Sequence, residues 1–170
     1  METAPFVQAF VLCAFPFLLI FAAVSDLVTM TISNRISILL TIAFVGLALV
    51  LSVPLTAIGM HFAMAGIVLV IGFGMFAAGW IGGGDAKLAA AISLWFGFDH
   101  TLEFAMISAI LGGLLTLVII STRDSNISIV AHKVEWLERF LSGRKGVPYG
   151  IALSMAALII YPDTFWMRAL

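Results

Sequence analysis

Charge is scarce in this chain. Only 10% of its 170 residues are Asp, Glu, Lys or Arg, and the formal net charge is −1. Such a chain has no basic surface with which to hold a nucleic acid. Cysteine occurs once, as Cys13, which excludes an internal disulfide and any zinc site built on paired cysteines. Cys13 lies within an apolar run and reads as a buried small hydrophobe. The first residues, Met1 to Pro5, lack the basic stretch and the small-residue cleavage pattern of a signal peptide. The apolar run that follows is therefore expected to stay in place as a spanning helix.

The remainder is dominated by apolar side chains: 63% of residues are hydrophobic and the mean hydropathy is +1.20. Several runs reach bilayer-crossing length and are apolar all round, which a water-facing helix cannot be. The expected fold class is all-α, a polytopic membrane protein in contact with lipid and forming a single domain over 1–170. Six transmembrane helices are expected, at about 5–26, 36–53, 57–81, 85–98, 101–121 and 147–161, with Pro16 as a kink and Pro54 as a turn. Between the last two, residues 122–146 place Ile127, Val130, Val134, Leu137 and Leu141 at three- and four-residue steps. They read as an amphipathic cytoplasmic connector lying on the membrane surface or packed on the bundle.

Six spans with the N-terminus outside put Arg35, Lys87, Arg123, Lys133, Arg139, Arg144 and Lys145 on one side and Arg168 alone on the other. The richer side is expected to be cytoplasmic. Asp26, which closes the first span, and Asp85, which opens the fourth, both fall on that side. His61 and His100 fall outside and His132 inside, so they assemble neither a metal cluster nor a nucleophilic triad. No metal and no cofactor are expected.

Gly82-Gly83-Gly84-Asp85-Ala86-Lys87 is the stretch hardest to explain as packing. An ionisable group at membrane depth is costly and marks function, and glycines allow another backbone to come close. The helix after Asp85 has about 13 residues and a rise of roughly 20 Å, against a hydrocarbon core of about 30 Å. Its start is thus expected below the surface, with the glycines as the floor of a cleft. Two neighbouring carboxylates do not both ionise cheaply, so the pair shares a proton and offers a base and an acid together. That suits water attack on an amide. Helix polarity favours charge on Asp85 at a helix start and disfavours it on Asp26 at a helix end, making Asp85 the base and Asp26 the acid; coupling between the two acids can reverse that order. The bland readings are Asp85 as an N-cap and Asp26 as a residue emerging into water. Lys87 reads as snorkelling to the interface, and a phosphate loop is excluded because no Ser or Thr follows it. Asn34 and Arg35 read as helix-start and anchor residues.

Gly82-Gly83-Gly84-Asp85 fits the Gly-x-Gly-Asp signature of intramembrane aspartic peptidases. Together with Ser25-Asp26-Leu27, Ile32-Ser33-Asn34-Arg35 and Val147-Pro148-Tyr149-Gly150, the chain resembles the type IV prepilin peptidases over nearly its whole length. The resemblance implies a bacterial inner-membrane enzyme that cuts the basic leader from pilin-like precursors at the cytoplasmic face, with Asp26 and Asp85 as the catalytic pair. Larger members carry a cysteine-rich insert and also N-methylate. With one cysteine and no room for the insert, this chain resembles the short, peptidase-only branch that serves Flp-type pili. Ser33 stands where many relatives have proline, which implies a less rigid loop. The implied partner is a precursor with a basic leader and an apolar helix. The alternatives are a small transporter or proton-coupled channel component using the same acids as a relay, and a non-enzymatic membrane assembly partner.

Overall fold

A computed structural model describes residues 5–123 and 147–168. The expected amphipathic connector falls outside the described residues apart from its first two positions. Helices dominate what is described: α1 (Pro5–Thr29), α2 (Asn34–Val50), α3 (Leu55–Ala77), α4 (Gly83–Arg123) and α5 (Tyr149–Ile160), then a 3-10 turn (Tyr161–Asp163) and a short α6 (Phe165–Arg168). Pro16 lies inside α1.

The helix ends follow from local chemistry. Ser33 caps α2, its hydroxyl accepting from the Arg35 amide at 3.3 Å, a hydrogen bond that a proline side chain does not offer. The α1–α2 connection is held further by Ser25 Oγ donating to the Thr31 carbonyl and by Thr29 Oγ1 donating to the Ser25 carbonyl. At the end of α3, Gly79 takes φ +76°, while Trp80 N–H donates to Met75 O and Gly79 N–H to Phe76 O. That is a Schellman ending, and the left-handed residue it requires is a glycine.

Four segments are long and apolar enough to cross a bilayer: Pro5–Thr29, Leu55–Ala77, Gly83–Ser121 and Tyr149–Arg168; Asn34–Val50 is apolar but shorter. The count differs from the expected six because the second helix is short and the fourth and fifth are two arms of α4. A straight α4 would hold Gly84 and Gly112 about 42 Å apart. Yet Ile32 packs on Gly84, Ile32 also packs on Gly150, and the neighbouring Tyr149 packs on Gly112. The helix therefore doubles back, and it does so at Gly97, where φ is 60° and ψ −156°. That conformation is open essentially to glycine alone. Space adds a second constraint, since a Cβ on Gly97 would sit 2.9 Å from His61 Cε1.

The core is aromatic and gathers near this reversal. Phe15 stacks on Tyr161 with ring centres 4.5 Å apart and lies 4.7 Å from Trp95; Trp95 meets Trp166 edge-on at 5.4 Å, and Phe44 meets Trp166 at 5.3 Å. Each buried polar tip is satisfied: Trp95 Nε1 donates to Leu40 O, Trp166 Nε1 to Trp95 O and Tyr161 Oη to Val11 O. Aromatic rings with satisfied handles are the groups that best combine bulk with burial. Cys13, expected inside, is exposed; its helical position places it on the outer face of α1, beside the buried stripe of Val11, Phe15, Leu19 and Ala22.

Candidate active site

The opposite end of the bundle holds the acids. Asp26 lies in the last turns of α1, 5% exposed. Its Oδ2 accepts a 2.8 Å hydrogen bond from the Gly150 amide in the first turn of α5. Asp85 lies in the first turn of α4, partly buried, and its Oδ2 accepts from the Gly82 amide at 3.1 Å. Asp85 is thus the third helical residue reaching back to the residue before the helix, one half of a capping box. The bland N-cap expectation is close in kind and displaced by three residues.

Ile32, in the α1–α2 connection, joins the two acids spatially. Its Cβ would be 3.1 Å, and its carbonyl oxygen 3.3 Å, from a Cβ on Gly84. Its Cδ1 would be 2.6 Å from a Cβ on Gly150, which would also meet Asp26 Oδ2 at 2.7 Å. Ile32 thus lies between Gly84, which precedes Asp85, and Gly150, whose amide holds Asp26.

The glycine run, expected as the floor of a cleft, has close neighbours on one side. A Cβ on Gly82 would meet Asp85 Oδ2 at 2.8 Å, one on Gly83 would touch the Phe76 ring at 3.4 Å, and Gly84 faces Ile32. Gly82 is exposed and Gly83 and Gly84 are partly buried; on their packed side they let a carboxylate, a ring and a connection come to the head of α4. The polarity argument changes as well. Asp26 does end its own helix, but its carboxylate sits on the N-terminal turn of α5, so both acids face the positive end of a helix. The contrast that made one the acid and the other the base disappears.

Lys87 donates from Nζ to Asn34 Oδ1 at 2.9 Å, tying the heads of α2 and α4 together rather than only reaching for the interface. This pair stands at one end of a groove of about 570 Å³ between α2, α3 and the first arm of α4, with Ile38, Phe62, Ala65 and Gly66 along it. His61 lies at the far end of the bundle, bonded through Nδ1 to Leu94 O at 2.7 Å, and His100 contacts Glu103; neither joins the acids. The expected inner histidine, His132, is outside the described residues. Gly150 is the site residue whose role the sequence did not disclose. It was visible only as part of Pro148-Tyr149-Gly150, because its partner lies 124 positions away.

The sequence pattern of the type IV leader peptidase family matches residues 13–117. The chain belongs to the type IV leader peptidase family. A search of curated proteins and another of solved structures found no match. In this leader peptidase the matched stretch contains both acids, the glycine run and the Gly97 reversal, while α5, which supplies the Gly150 amide, lies beyond it. Family membership and the apolar helices together describe a multi-pass membrane peptidase whose substrates are pilin-like precursors.

Proposed function

We propose that this chain is an aspartic endopeptidase that removes the basic leader of Flp-type pilin precursors, with Asp26 and Asp85 as its dyad. What supports the reading is that two acids from distant parts of the sequence stand at the same end of the bundle, each with one oxygen held by a glycine amide and each beside a glycine that Ile32 packs on. One carboxylate, ionised, takes a proton from water as the water oxygen bonds to the scissile carbonyl carbon. The other, protonated, donates to the carbonyl oxygen. Collapse of the tetrahedral species breaks the C–N bond and delivers a proton to the departing amine.

Charge supports a cytoplasmic site in an inner membrane. Arg35 and Lys87 stand at the acid end of α2 and α4, while Arg168 closely follows Trp166, which packs on Trp95 at the other end. With α2 and both arms of α4 each crossing the bilayer, the chain makes six passages. The first arm is short, which supports Asp85 lying beneath the headgroups. A precursor's apolar helix fits the groove of α2, α3 and α4. Its floor includes Ala65, Gly66, Ala90 and Ala91, small residues that let helices approach closely in a membrane. A proton relay would need acids spread along the midplane, whereas these gather at one end.

The test is cleavage of a pilin-like precursor by reconstituted protein, beside Asp26→Asn and Asp85→Asn. Each variant is expected to lose at least about 10³-fold in kcat, in keeping with the loss of general acid–base chemistry. Wild-type cleavage by either well-folded variant overturns the dyad.

A further inference from the structure

The dyad reading leaves unexplained why α5, outside the matched family stretch, delivers a backbone amide to Asp26. We infer that Gly150 is the positioning residue of Asp26: its amide fixes Oδ2, and its missing side chain leaves the carboxylate the only place it can lie. This deepens the dyad reading and rests on it.

Four observations converge on Gly150. Its N–H to Oδ2 distance is 2.8 Å, in a buried environment, where a hydrogen bond to a charged group is strong and geometrically demanding. A Cβ at this position would lie 2.7 Å from Oδ2 and 3.1 Å from Asp26 Cβ, so any other residue displaces the whole Asp26 side chain. Gly150 itself is buried in the first turn of α5, with Pro148 just before the helix, a residue that restricts the entering backbone. Finally, Asp26 lies on the buried stripe of α1, where the helix leaves its side chain little rotamer freedom. One oxygen is thus committed to the scaffold, and the other, Oδ1, is the one left for water or for Asp85. Asp85 is treated alike, with its Oδ2 on the Gly82 amide. Each acid therefore presents a single, oriented oxygen.

Two clashes are available to separate positioning from packing. A Cβ on residue 150 meets Ile32 Cδ1 at 2.6 Å and Asp26 Oδ2 at 2.7 Å. Trimming Ile32 relieves the first and leaves the second. The experiment uses the full chain in proteoliposomes with a pilin-like precursor, comparing wild type, Gly150→Ala, Ile32→Ala and the double variant. Gly150→Ala is expected to lower kcat by about 10- to 100-fold with KM within two-fold, the scale of a sub-ångström to ångström misplacement of a reacting group. The double variant is expected to regain part of the thermal stability lost in Gly150→Ala but not the kcat of Ile32→Ala. A kcat equal to that of Ile32→Ala in the double variant overturns the inference, because it makes Gly150 a packing residue. So does a change confined to KM.

A second readout does not depend on turnover. The infrared band of the Asp26 carboxyl, identified as the one missing in Asp26→Asn, is expected to move in Gly150→Ala and in the double variant. An unmoved band overturns the inference even if cleavage falls. A wild-type chain that cleaves no precursor refutes the peptidase assignment of the dyad, and the band still decides whether Gly150 holds Asp26.

Discussion

Gly84 offers the sharpest test of how closely the acid end is fitted. An alanine there would place its Cβ 3.1 Å from Ile32 Cβ and 3.3 Å from the Ile32 carbonyl oxygen. One of those atoms belongs to the backbone, so the α1–α2 connection must recede by a few tenths of an ångström. Overpacking of this kind costs roughly 1–3 kcal/mol, and replacing glycine by alanine in a helix returns about 0.5–1 kcal/mol. The net loss is at most about 2.5 kcal/mol, so Gly84→Ala is expected to fold and insert. Catalysis is more sensitive, because Gly84 adjoins Asp85 and Ile32 touches the Gly150 position beside Asp26. If a 1 Å misplacement costs about 10²-fold, half of that costs about 10-fold. We expect kcat to fall about 10-fold in Gly84→Ala and beyond detection in Gly84→Val. Gly46→Ala is the control, since nothing lies within 4 Å of its added Cβ. The assay pairs initial cleavage rates in proteoliposomes with thermal unfolding in detergent. A folded Gly84→Val that cleaves at the wild-type rate refutes the reasoning.

Other expectations follow from the groove and the core. Gly66 lines the groove and has open space where its side chain would begin, so Gly66→Leu should fill it without strain. Raised KM, about 10-fold, with unchanged kcat is the expected outcome; an unchanged KM means the apolar helix of the precursor sits elsewhere. Trp95 is 1% exposed and bonded to Leu40 O. Trp95→Ala should cost about 3–5 kcal/mol, seen as a lowered unfolding midpoint, and a shift of under 1 kcal/mol means the aromatic cluster does not hold the fold.

Much of the acid end was legible because it is local. A carboxylate after three glycines, and another closing an apolar run, stand out from composition alone, and lysine and arginine bias marks the end they share. The turn at Gly97 was harder to read. The polar pair Asp99-His100 drew the break toward itself, whereas the backbone turns at the one residue whose φ can be positive. The role of Gly150 was out of reach for a different reason. Helix polarity inferred from sequence sees only the helix that carries Asp26, while the amide that meets its carboxylate comes from a helix packed against it. Cys13 shows the same limit in reverse: apolar runs in a membrane do not distinguish lipid-facing positions from core, since both are hydrophobic.

Phe15, Phe44 and Trp95 each lie about ten residues along their own helices from Asp26, Asn34 and Asp85, and Tyr161, just past the end of α5, lies as far from Gly150. Rings and hydrogen bonds clasp four helices at one level, and roughly 15 Å away the same helices carry the two acids and the residues around them. The arrangement works like a peg sprung at one end: a splay of roughly 4° about the clasp parts the jaws by about 1 Å, with no aromatic contact broken. Such a splay loosens the contacts of Ile32 with Gly84 and Gly150 while the far end of the bundle keeps its shape.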